Sequence, residues 1–253
     1  MSTQLLAEDM VDVLGVRFHR VTMGQTVEKI LYWVQDGSHH MVVTAGPEFV
    51  MQCLADESLQ ELVNSADLVT ADGIGVVWAA ARTGRPVPER VTGVELVVSL
   101  LQEANVRRQP LRVFILGAAQ ASLEACLDAL RVRFPEIEFA GRNGYFNAQE
   151  VDDVVAQVRD FAPNLFLVGM GQPRQERFIR DVLGRLQPCV AIGVGGSIDV
   201  WGGTVTRAPA IFRRLNVEWF YRLATQPSRL RRQMALPRFA VTVMRGGPRG
   251  RKR

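Results

Sequence analysis

The sequence predicts an α/β protein with a Rossmann-like open, mainly parallel sheet and helices on both faces. Apolar runs of strand length recur along the chain, and segments with the three-to-four spacing of one helix face separate them. Each apolar run is followed by Gly or another small residue, as at the end of a strand. Alternation of strands and helices indicates a parallel sheet with right-handed crossovers.

The predicted elements alternate from residue 41 onward. Strands are predicted at 41–44, 68–71, 112–116, 137–140, 165–168 and 189–194. Helices are predicted at 94–104, 122–134, 151–161 and 175–186. These patterns do not determine the order of the strands. Because ligands of open parallel sheets bind beyond the carboxyl ends of the strands, we expect a site in the loops that follow them.

Glycine is concentrated in those loops. The loops are 44–48, 71–75, 117–119, 169–173 and 193–197; each contains Gly, and three of them contain more than one. Glycine lets a ligand approach the backbone, and the amides of a helix N-terminus bind phosphate. Together the loops favour a nucleotide or sugar nucleotide as ligand, although any one of them is equally consistent with a tight turn.

Several common cofactor and metal motifs are missing from the sequence. No GxGxxG follows a strand, and neither a GxxxxGK[ST] loop nor a DxD pair occurs. His19, His39 and His40 lack the spacing of a metal site or a catalytic triad. The three cysteines form no CxxC pair, so we expect no disulfide, no thiolate zinc site and a reducing compartment. We therefore expect chemistry without a metal or a cofactor.

Positive charge is concentrated at the C-terminus. Residues 207–253 contain 13 Arg and Lys against one acid, a net charge of +12, whereas the residues before them carry −8. Such a segment favours an anionic partner: nucleic acid, a phospholipid surface or a diphosphate. We predict a Rossmann-like domain at 1–206, a basic amphipathic helical appendage at 207–244 and a disordered basic tail at 245–253. No signal peptide and no apolar run of membrane-spanning length is visible.

Asp72 is the candidate general base. It follows the predicted strand 68–71, which places a carboxylate at the ligand-binding edge of the sheet. A carboxylate there could take a proton from an attacking hydroxyl. The alternative is that Asp72 caps a helix that begins near Gly75.

Several ordered motifs resemble those of a known family. They are Thr-Ala-Asp-Gly-Ile-Gly at 70–75, Pro-Glu-Arg-Val-Thr-Gly at 88–93, Gly-Met-Gly-Gln-Pro-Arg-Gln-Glu at 169–176, Gly-Val-Gly-Gly-Ser-Ile-Asp at 193–199, and Arg-Ala-Pro at 207–209 with Glu-Trp at 218–219. Over about residues 12–235 the chain resembles the WecG/TagA/CpsF glycosyltransferases, glycosyltransferase family 26. The resemblance implies inverting transfer of an N-acetylhexosamine, with N-acetylmannosamine favoured, from a UDP-sugar donor to a polyprenyl-diphosphate-linked sugar. It implies a cytoplasmic protein at the inner face of the membrane that serves cell-surface polysaccharide or teichoic acid synthesis.

The resemblance also implies catalytic roles. Asp72 matches the family's proposed base, Thr44 matches a threonine of the same pocket, and Arg90 looks like the pocket arginine. A guanidinium there could orient a sugar or phosphate through two parallel hydrogen bonds. A structural ion pair of Arg90 with Glu89 or Glu95 is the alternative.

Further residues are implied to bind substrate. Gln175 matches a glutamine that contacts substrate, although it could also be an ordinary residue of a first helical turn. Gly46 stands where the family usually has Asn, which leaves one sugar contact open. The remaining candidates are the loop residues Gly169, Gly171, Gly195 and Asp199.

The basic appendage mixes arginines with large apolar residues. Leu215, Trp219 and Leu223 share one helical face, which is typical of an interfacial amphipathic segment. By motif position Arg222, Arg229 and Arg232 are the candidates for binding a diphosphate. Since departing UDP develops negative charge on a phosphate oxygen, arginines could replace a metal ion. The apolar residues of this segment leave a homo-oligomer open.

Two other functions stay open at this point. A nucleic-acid-binding module could use the basic C-terminus, and it would show steeply salt-dependent binding. Against it, the aromatic residues of the appendage form an amphipathic pattern rather than a stacking platform. A nicotinamide oxidoreductase is disfavoured because the dinucleotide fingerprint is missing.

Overall fold

A six-stranded parallel sheet and a short antiparallel hairpin make up the β structure of the described residues. The computed structural model describes residues 9–205 and 234–246. Its strands are β1 (Met10–Val13), β2 (Val16–His19), β3 (His40–Ala45), β4 (Leu68–Ala71), β5 (Arg112–Gly117), β6 (Glu138–Arg142), β7 (Leu165–Gly169) and β8 (Val190–Gly193). The strands β1 and β2 form the hairpin, and the sheet has the order β4-β3-β8-β7-β5-β6.

All neighbouring strands of the large sheet are parallel, so their carboxyl ends meet at one edge. The register pairs Val42 of β3 with Leu68 of β4 on one side and with Ile192 of β8 on the other. Val168 of β7 pairs with Gly193 of β8. The loops after β4, β3, β8 and β7 therefore lie next to one another. Gln172 and Thr44, for example, are hydrogen-bonded at this edge although 128 residues separate them in the sequence.

Helices cover both faces of the sheet. They are α1 (Met23–Trp33), α2 (Pro47–Ala55), α3 (Glu57–Asn64), α4 (Ile74–Arg82), α5 (Gly93–Arg107), α6 (Gln120–Arg133), α7 (Val151–Phe161), α8 (Arg174–Val182), α9 (Ser197–Trp201) and α10 (Ala235–Met244). Two short 3₁₀ turns, Ala148–Glu150 and Leu183–Arg185, complete the described helical structure.

Two hydrophobic clusters lie on opposite faces of the sheet. Because side chains alternate along a strand, Val43 of β3 belongs to one cluster and Val42 to the other. The first cluster includes buried side chains of α2, α3, α4, α7, α8 and α10, and the second includes those of α1, α5, α6 and α9. Both faces of the inner strands β3 and β8 are thus removed from water, and the edge strand β4 is buried as well. This burial explains why all three appear in the sequence as continuous apolar runs.

The predicted fold class is confirmed, and each of the six predicted sheet strands is present with bounds shifted by two residues at most. Helix α5 begins one residue before the predicted 94–104 helix and ends three residues beyond it. The predicted helix 175–186 is α8 followed by the 3₁₀ turn Leu183–Arg185. The hairpin β1–β2 and the helices α1, α2, α3 and α9 were not predicted.

Helix α10 belongs to the predicted appendage and packs against the main domain. Its Phe239 is 2% exposed and joins the cluster on the α2 and α4 side. A Cβ added at Gly75 of α4 would lie 3.7 Å from the Phe239 ring. Most of the predicted appendage, including residues 207–233, and most of the predicted disordered tail lie outside the described residues. The division into domains stays a prediction.

Candidate active site

Asp72 lies where strand β4 ends, at the carboxyl edge of the sheet. Its backbone N–H donates to the carbonyl of Ala45, the last residue of β3, at 3.0 Å, so the pairing with β3 continues one residue beyond the end of β4. Its Oδ2 accepts a hydrogen bond from the N–H of Gly93 at 3.2 Å. Gly93 is the first residue of α5, and both an N–H donor and a helix N-terminus stabilise a negative charge.

Asp72 is not the N-cap residue of the helix that follows it. Helix α4 has Gly73 at its N-cap position, with a φ of 133°, and no side chain accepts a hydrogen bond there. A side chain at residue 73 would be strained at that φ. The carboxylate of Asp72 instead faces the start of α5, a helix that is distant in sequence from β4.

The segment before α5 is held along β4 by two hydrogen bonds. The N–H of Val91 donates to the carbonyl of Ala71 at 3.0 Å, and Thr70 Oγ1 donates to the carbonyl of Val91 at 3.1 Å. Thr92 then caps α5 by accepting a hydrogen bond from the N–H of Glu95. These contacts determine where the N–H of Gly93 points.

Thr44 contacts the same helix start. It is buried, with 6% exposure, and a Cβ added at Gly93 would lie 3.1 Å from its hydroxyl oxygen. That spacing leaves no room for a side chain at residue 93 unless Thr44 shifts. Asp72 and Thr44 therefore both lie against Gly93, and their shared substrate pocket stays a prediction.

Arg90 forms the ion pair that was the alternative to its substrate-binding role. Its Nη2 lies 3.6 Å from Glu95 Oε2, and the Arg90 side chain is 20% exposed. The same Glu95 oxygen accepts a hydrogen bond from Thr92 Oγ1 at 2.9 Å. Arg90 is thus tied to the first turn of α5, next to the amide that contacts Asp72. The ion pair does not exclude contact with a substrate, because the guanidinium carries five N–H donors.

Gln175 connects two loops of the site. Its Oε1 accepts hydrogen bonds from the N–H of Gly171 at 3.2 Å and of Gly195 at 3.0 Å, and its Nε2 donates to Glu176 Oε1 at 2.8 Å. The side chain is 1% exposed. The geometry therefore gives Gln175 a role in positioning the loops after β7 and β8, and its predicted contact with substrate stays a prediction.

Gln172 extends this network to Thr44, a connection that was missed in the sequence. Its Nε2 donates to the carbonyl of Thr44 at 3.0 Å and lies 3.3 Å from Glu176 Oε1. The loop after β7 thus reaches across β8 to the end of β3. Its place in the motif 169–176, at the carboxyl end of a strand, is the signal that could have identified it.

Glu176 is the buried acid of this network, and it too was missed. It is fully buried, and its Oε2 has no hydrogen-bond partner among the described residues. Burial raises the pKa of its carboxyl, against the opposing effect of the hydrogen bonds from Gln175 and Gln172. Glu176 lies three residues before the buried Ile179, so the apolar spacing of α8 could have predicted its burial.

The remaining loop candidates contribute backbone rather than side chains. Gly169 lies so close to the carbonyl of Gly195 that a Cβ there would approach that oxygen to 2.7 Å. Gly171 and Gly195 both have positive φ, and both give their N–H groups to Gln175. A phosphate at this edge would therefore have to be bound by other amides of the two loops. Asp199 lies half-buried in the first turn of α9.

The arginine candidates Arg222, Arg229 and Arg232 lie outside the described residues. Within the ranges 9–205 and 234–246, no three His, Cys, Asp or Glu side chains are grouped so that they could hold a metal ion. Cys53, Cys126 and Cys189 are all free, as predicted, and burial raises the pKa of each thiol to about 12.

No described helix combines the length and the apolar character that crossing a membrane requires.

The fold and the site define a class of protein. A Rossmann-like sheet with Gly-rich loops and an accessible carboxylate at its carboxyl edge is typical of enzymes that act on nucleotide-linked substrates. The model of the glycosyl transferase WecG/TagA/CpsF family matches residues 11–253. The chain belongs to this family and is a glycosyltransferase.

Similar proteins from Staphylococcus aureus support the same assignment. Proteins of Staphylococcus aureus strains NCTC 8325 / PS 47, COL and MRSA252 are each 39% identical to this chain over 235 residues. The matched region covers 92% of this chain and 91% of each relative. Each relative is named N-acetylglucosaminyldiphosphoundecaprenol N-acetyl-beta-D-mannosaminyltransferase.

Proposed function

We propose that this protein transfers N-acetylmannosamine from a UDP-sugar to a polyprenyl-diphosphate-linked N-acetylglucosamine. The sugar and the acceptor come from the name of the Staphylococcus aureus relatives, and the chain covers almost their whole length. The transfer inverts the anomeric carbon and needs no metal ion. The protein works at the inner face of the membrane, and its product enters cell-surface polysaccharide or teichoic acid synthesis.

The position of Asp72 is the observation that carries this proposal. Its carboxylate lies at the carboxyl edge of the sheet and accepts a hydrogen bond from the first amide of α5. In the reaction the carboxylate takes the proton of the acceptor hydroxyl while that oxygen attacks the anomeric carbon. The new glycosidic bond forms as the bond from that carbon to the UDP oxygen breaks, and UDP leaves with the electron pair.

The start of α5 prepares Asp72 for this step. A general base must carry a negative charge before it accepts a proton, and the Gly93 N–H together with the helix N-terminus stabilises that charge. Thr44 and the Arg90–Glu95 pair border the same helix turn. In this proposal Thr44 contacts the sugar, and Arg90 orients a sugar hydroxyl or a phosphate oxygen.

The charge that develops on UDP needs positive groups. The network of Gln172, Gln175 and Glu176 holds the loops after β7 and β8 in place, so that their remaining amides and Asp199 can contact the donor. Arg222, Arg229 and Arg232 supply the positive charge in this proposal, since guanidinium groups stabilise phosphate oxygens without a metal ion.

Product formation tests the function directly. Purified protein is incubated with a panel of UDP-N-acetylhexosamines and a short-chain polyprenyl-diphosphate-N-acetylglucosamine, with and without a chelator. We expect a disaccharide product with UDP-N-acetylmannosamine at the same rate in both conditions. Strict dependence on added metal would remove the metal-free mechanism, and hydrolysis of the donor without transfer would remove the acceptor assignment.

Family membership favours this function over the nucleic-acid-binding module. A gel-shift assay at low and high salt, run on the same preparation, separates the two. Salt-sensitive binding of DNA or RNA in the absence of any transferase product would favour the module.

A further inference from the structure

Gly46 lies between the end of β3 and the start of α2, directly against the backbone of Asp72. A Cβ at residue 46 would lie 2.6 Å from the carbonyl oxygen of Asp72, well inside the van der Waals separation of the two atoms. The backbone of Gly46 is extended, with a φ of −96° and a ψ of 175°, and any residue can adopt this conformation. Glycine is therefore needed at this position for space and not for backbone conformation.

Gly46 is held in place by the helix that it caps. Its carbonyl accepts hydrogen bonds from the N–H groups of Phe49 and Val50, both at 3.0 Å. Phe49 and Val50 are fully buried in the core, and Pro47, the first residue of α2, is buried as well. Because this packing fixes the start of α2, a side chain at residue 46 would displace the backbone of Asp72 rather than the helix.

The turn that follows Asp72 packs on the next residue of the same loop, Pro47. A Cβ at Gly73 would lie 3.1 Å from Pro47 Cδ, and a Cβ at Gly75 would lie 2.7 Å from Pro47 Cγ. Neither glycine has room for a side chain unless the proline moves. The backbone that carries Asp72 therefore lies close against the start of α2 on both sides of Gly73.

Three contacts hold Asp72 in place. Its N–H donates to the carbonyl of Ala45, its own carbonyl lies against Gly46, and its Oδ2 accepts from the N–H of Gly93 at 3.2 Å. The first two contacts belong to the end of β3, and the third belongs to the start of α5. A shift of the backbone at residue 72 would therefore move the carboxylate relative to the amide that stabilises its charge.

We propose that Gly46 is a positioning residue for the reaction and acts through Asp72, because it lets the backbone of the base approach the end of β3. This inference rests on the proposed function, in which Asp72 takes the proton of the acceptor hydroxyl. A base must lie at hydrogen-bond distance from that proton, and a displacement of about 1 Å can lower the rate by about a hundredfold. Residue 46 has no side chain to contact a sugar in this chain, and its part in the site is to place the base.

Gly46→Ala tests this role. The added methyl group displaces Asp72, so we expect kcat to fall by about tenfold or more while KM for the UDP-sugar stays at the wild-type value. Gly24→Ala is the matched control, because Gly24 is exposed in the first turn of α1 and a Cβ there would have no described atom within 4 Å. The control should keep wild-type kcat and KM.

A double-mutant cycle with Asp72→Asn separates positioning of the base from a structural role. If Gly46 acts through Asp72, Gly46→Ala causes no further loss of kcat once the base is removed, because no carboxylate is left to misplace. A general structural defect, or a lost contact with substrate, would lower kcat by the same factor in both backgrounds. Initial rates at saturating donor and acceptor give kcat for wild type, both single variants and the double variant.

Three results would overturn the role of Gly46. The first is wild-type kcat in a folded Gly46→Ala protein, the second is a loss of the same factor in the Asp72→Asn background, and the third is an equal loss for Gly24→Ala. Thermal unfolding shows whether Gly46→Ala is folded. If it is not, Pro47→Ala takes its place in the cycle, since this change removes atoms from the same contact and adds none. We then expect a smaller loss of kcat that again requires Asp72, and the first two results overturn the role as before.

Wild-type turnover distinguishes failure of this inference from failure of the proposed function. Product from wild type with a UDP-N-acetylhexosamine of the panel, together with any of the three results, removes the role of Gly46 alone. Near-normal turnover of Asp72→Asn removes the base, and the role of Gly46 with it. No product from wild type with any donor of the panel removes the proposed function, on which the inference rests.

Discussion

The two halves of the candidate site use polar side chains in different ways. At the ends of β3 and β4, Asp72 and Arg90 are partly exposed and contact the first turn of α5. At the ends of β7 and β8, Gln175 and Glu176 are almost fully buried and bond mainly to one another and to the backbone. We call these the α5 half and the amide half of the site.

This difference distinguishes residues that can take part in the reaction from residues that hold the loops of the site in place. A group that exchanges a proton with a substrate must be reachable, as Asp72 is, whereas a buried side chain that is hydrogen-bonded to its neighbours holds other groups in place. The bond from Gln172 to the carbonyl of Thr44 joins the two halves. Substitutions in the α5 half should therefore change turnover, and substitutions in the amide half should change stability first.

The largest effect is expected for Asp72→Asn. The amide keeps the size of the side chain and an oxygen that can accept from Gly93, but it cannot take a proton at neutral pH. We expect turnover to fall by about a hundredfold or more, the usual contribution of a general base. Initial rates of product formation with wild type and with Asp72→Asn measure this loss of turnover.

The control for Asp72→Asn is Asp152→Asn on α7, because the Asp152 side chain is 84% exposed and pairs only with Arg185 in the described residues. It should keep wild-type turnover. A folded Asp72→Asn protein with near-normal turnover would remove Asp72 as the base.

The second effect is expected for Gln175→Ala in the amide half. The change leaves the N–H groups of Gly171 and Gly195 without their acceptor and Glu176 without one donor. Since a buried polar group without a partner costs about 1–3 kcal/mol, we expect the free energy of unfolding to fall by about 3 kcal/mol. Urea denaturation measures it, with Gln149→Ala at an exposed position as the control. Unchanged stability together with a large loss of turnover would reverse our assignment and make Gln175 a substrate-binding residue.

A third comparison concerns the Arg90–Glu95 pair. If Arg90 contacts substrate, Arg90→Gln should lower turnover about tenfold more than Glu95→Gln, since a charged hydrogen bond contributes about 1.5–3 kcal/mol. The pair itself is partly exposed, so breaking it should change the free energy of unfolding by about 1 kcal/mol or less. Equal losses of turnover in the two variants would mean that Arg90 acts only through the first turn of α5.

The smallest expected effect is the pH dependence caused by Glu176. Burial raises the pKa of this carboxyl in the folded protein above its ordinary value of 4.5, so the folded state binds the proton more tightly than the unfolded chain. The stabilisation from this group is complete below the unfolded pKa and is lost as pH rises through the folded pKa. Glu176→Gln removes that loss, so its stability relative to wild type should increase between about pH 5 and about pH 8. Urea denaturation at both pH values measures the difference, and a constant difference would contradict the raised pKa.

The sequence was sufficient to predict the fold class and the place of Asp72. Strands buried on both faces appear as continuous apolar runs, and β4 before Asp72 is buried throughout although it lies at the edge of the sheet. Because ligands bind at the carboxyl ends of such strands, Asp72, the first residue after the run, was a candidate site residue. The helix predictions succeeded for the same reason, since each long helix has one buried face.

The contacts within the site could not be predicted in this way. The bond between Gln172 and Thr44 depends on β8 lying between β3 and β7, and apolar patterns do not determine strand order. The hairpin β1–β2 was missed because its strands have four residues each, too few to show a clear alternation. Leu14 and Gly15 form its turn, and both have positive φ. Of the two, only Gly15 is a residue type that indicates such a backbone conformation in the sequence.

The burial of the three cysteines has a practical consequence for labelling. The thiolate is the nucleophile that attacks an alkylating reagent, and thiols with a pKa of about 12 are almost entirely protonated at neutral pH. A cysteine introduced at a surface position of the natural sequence would therefore react with maleimide far faster than the native three. A fluorophore or spin label could then report the depth of any chosen helix in a bilayer without first replacing Cys53, Cys126 or Cys189.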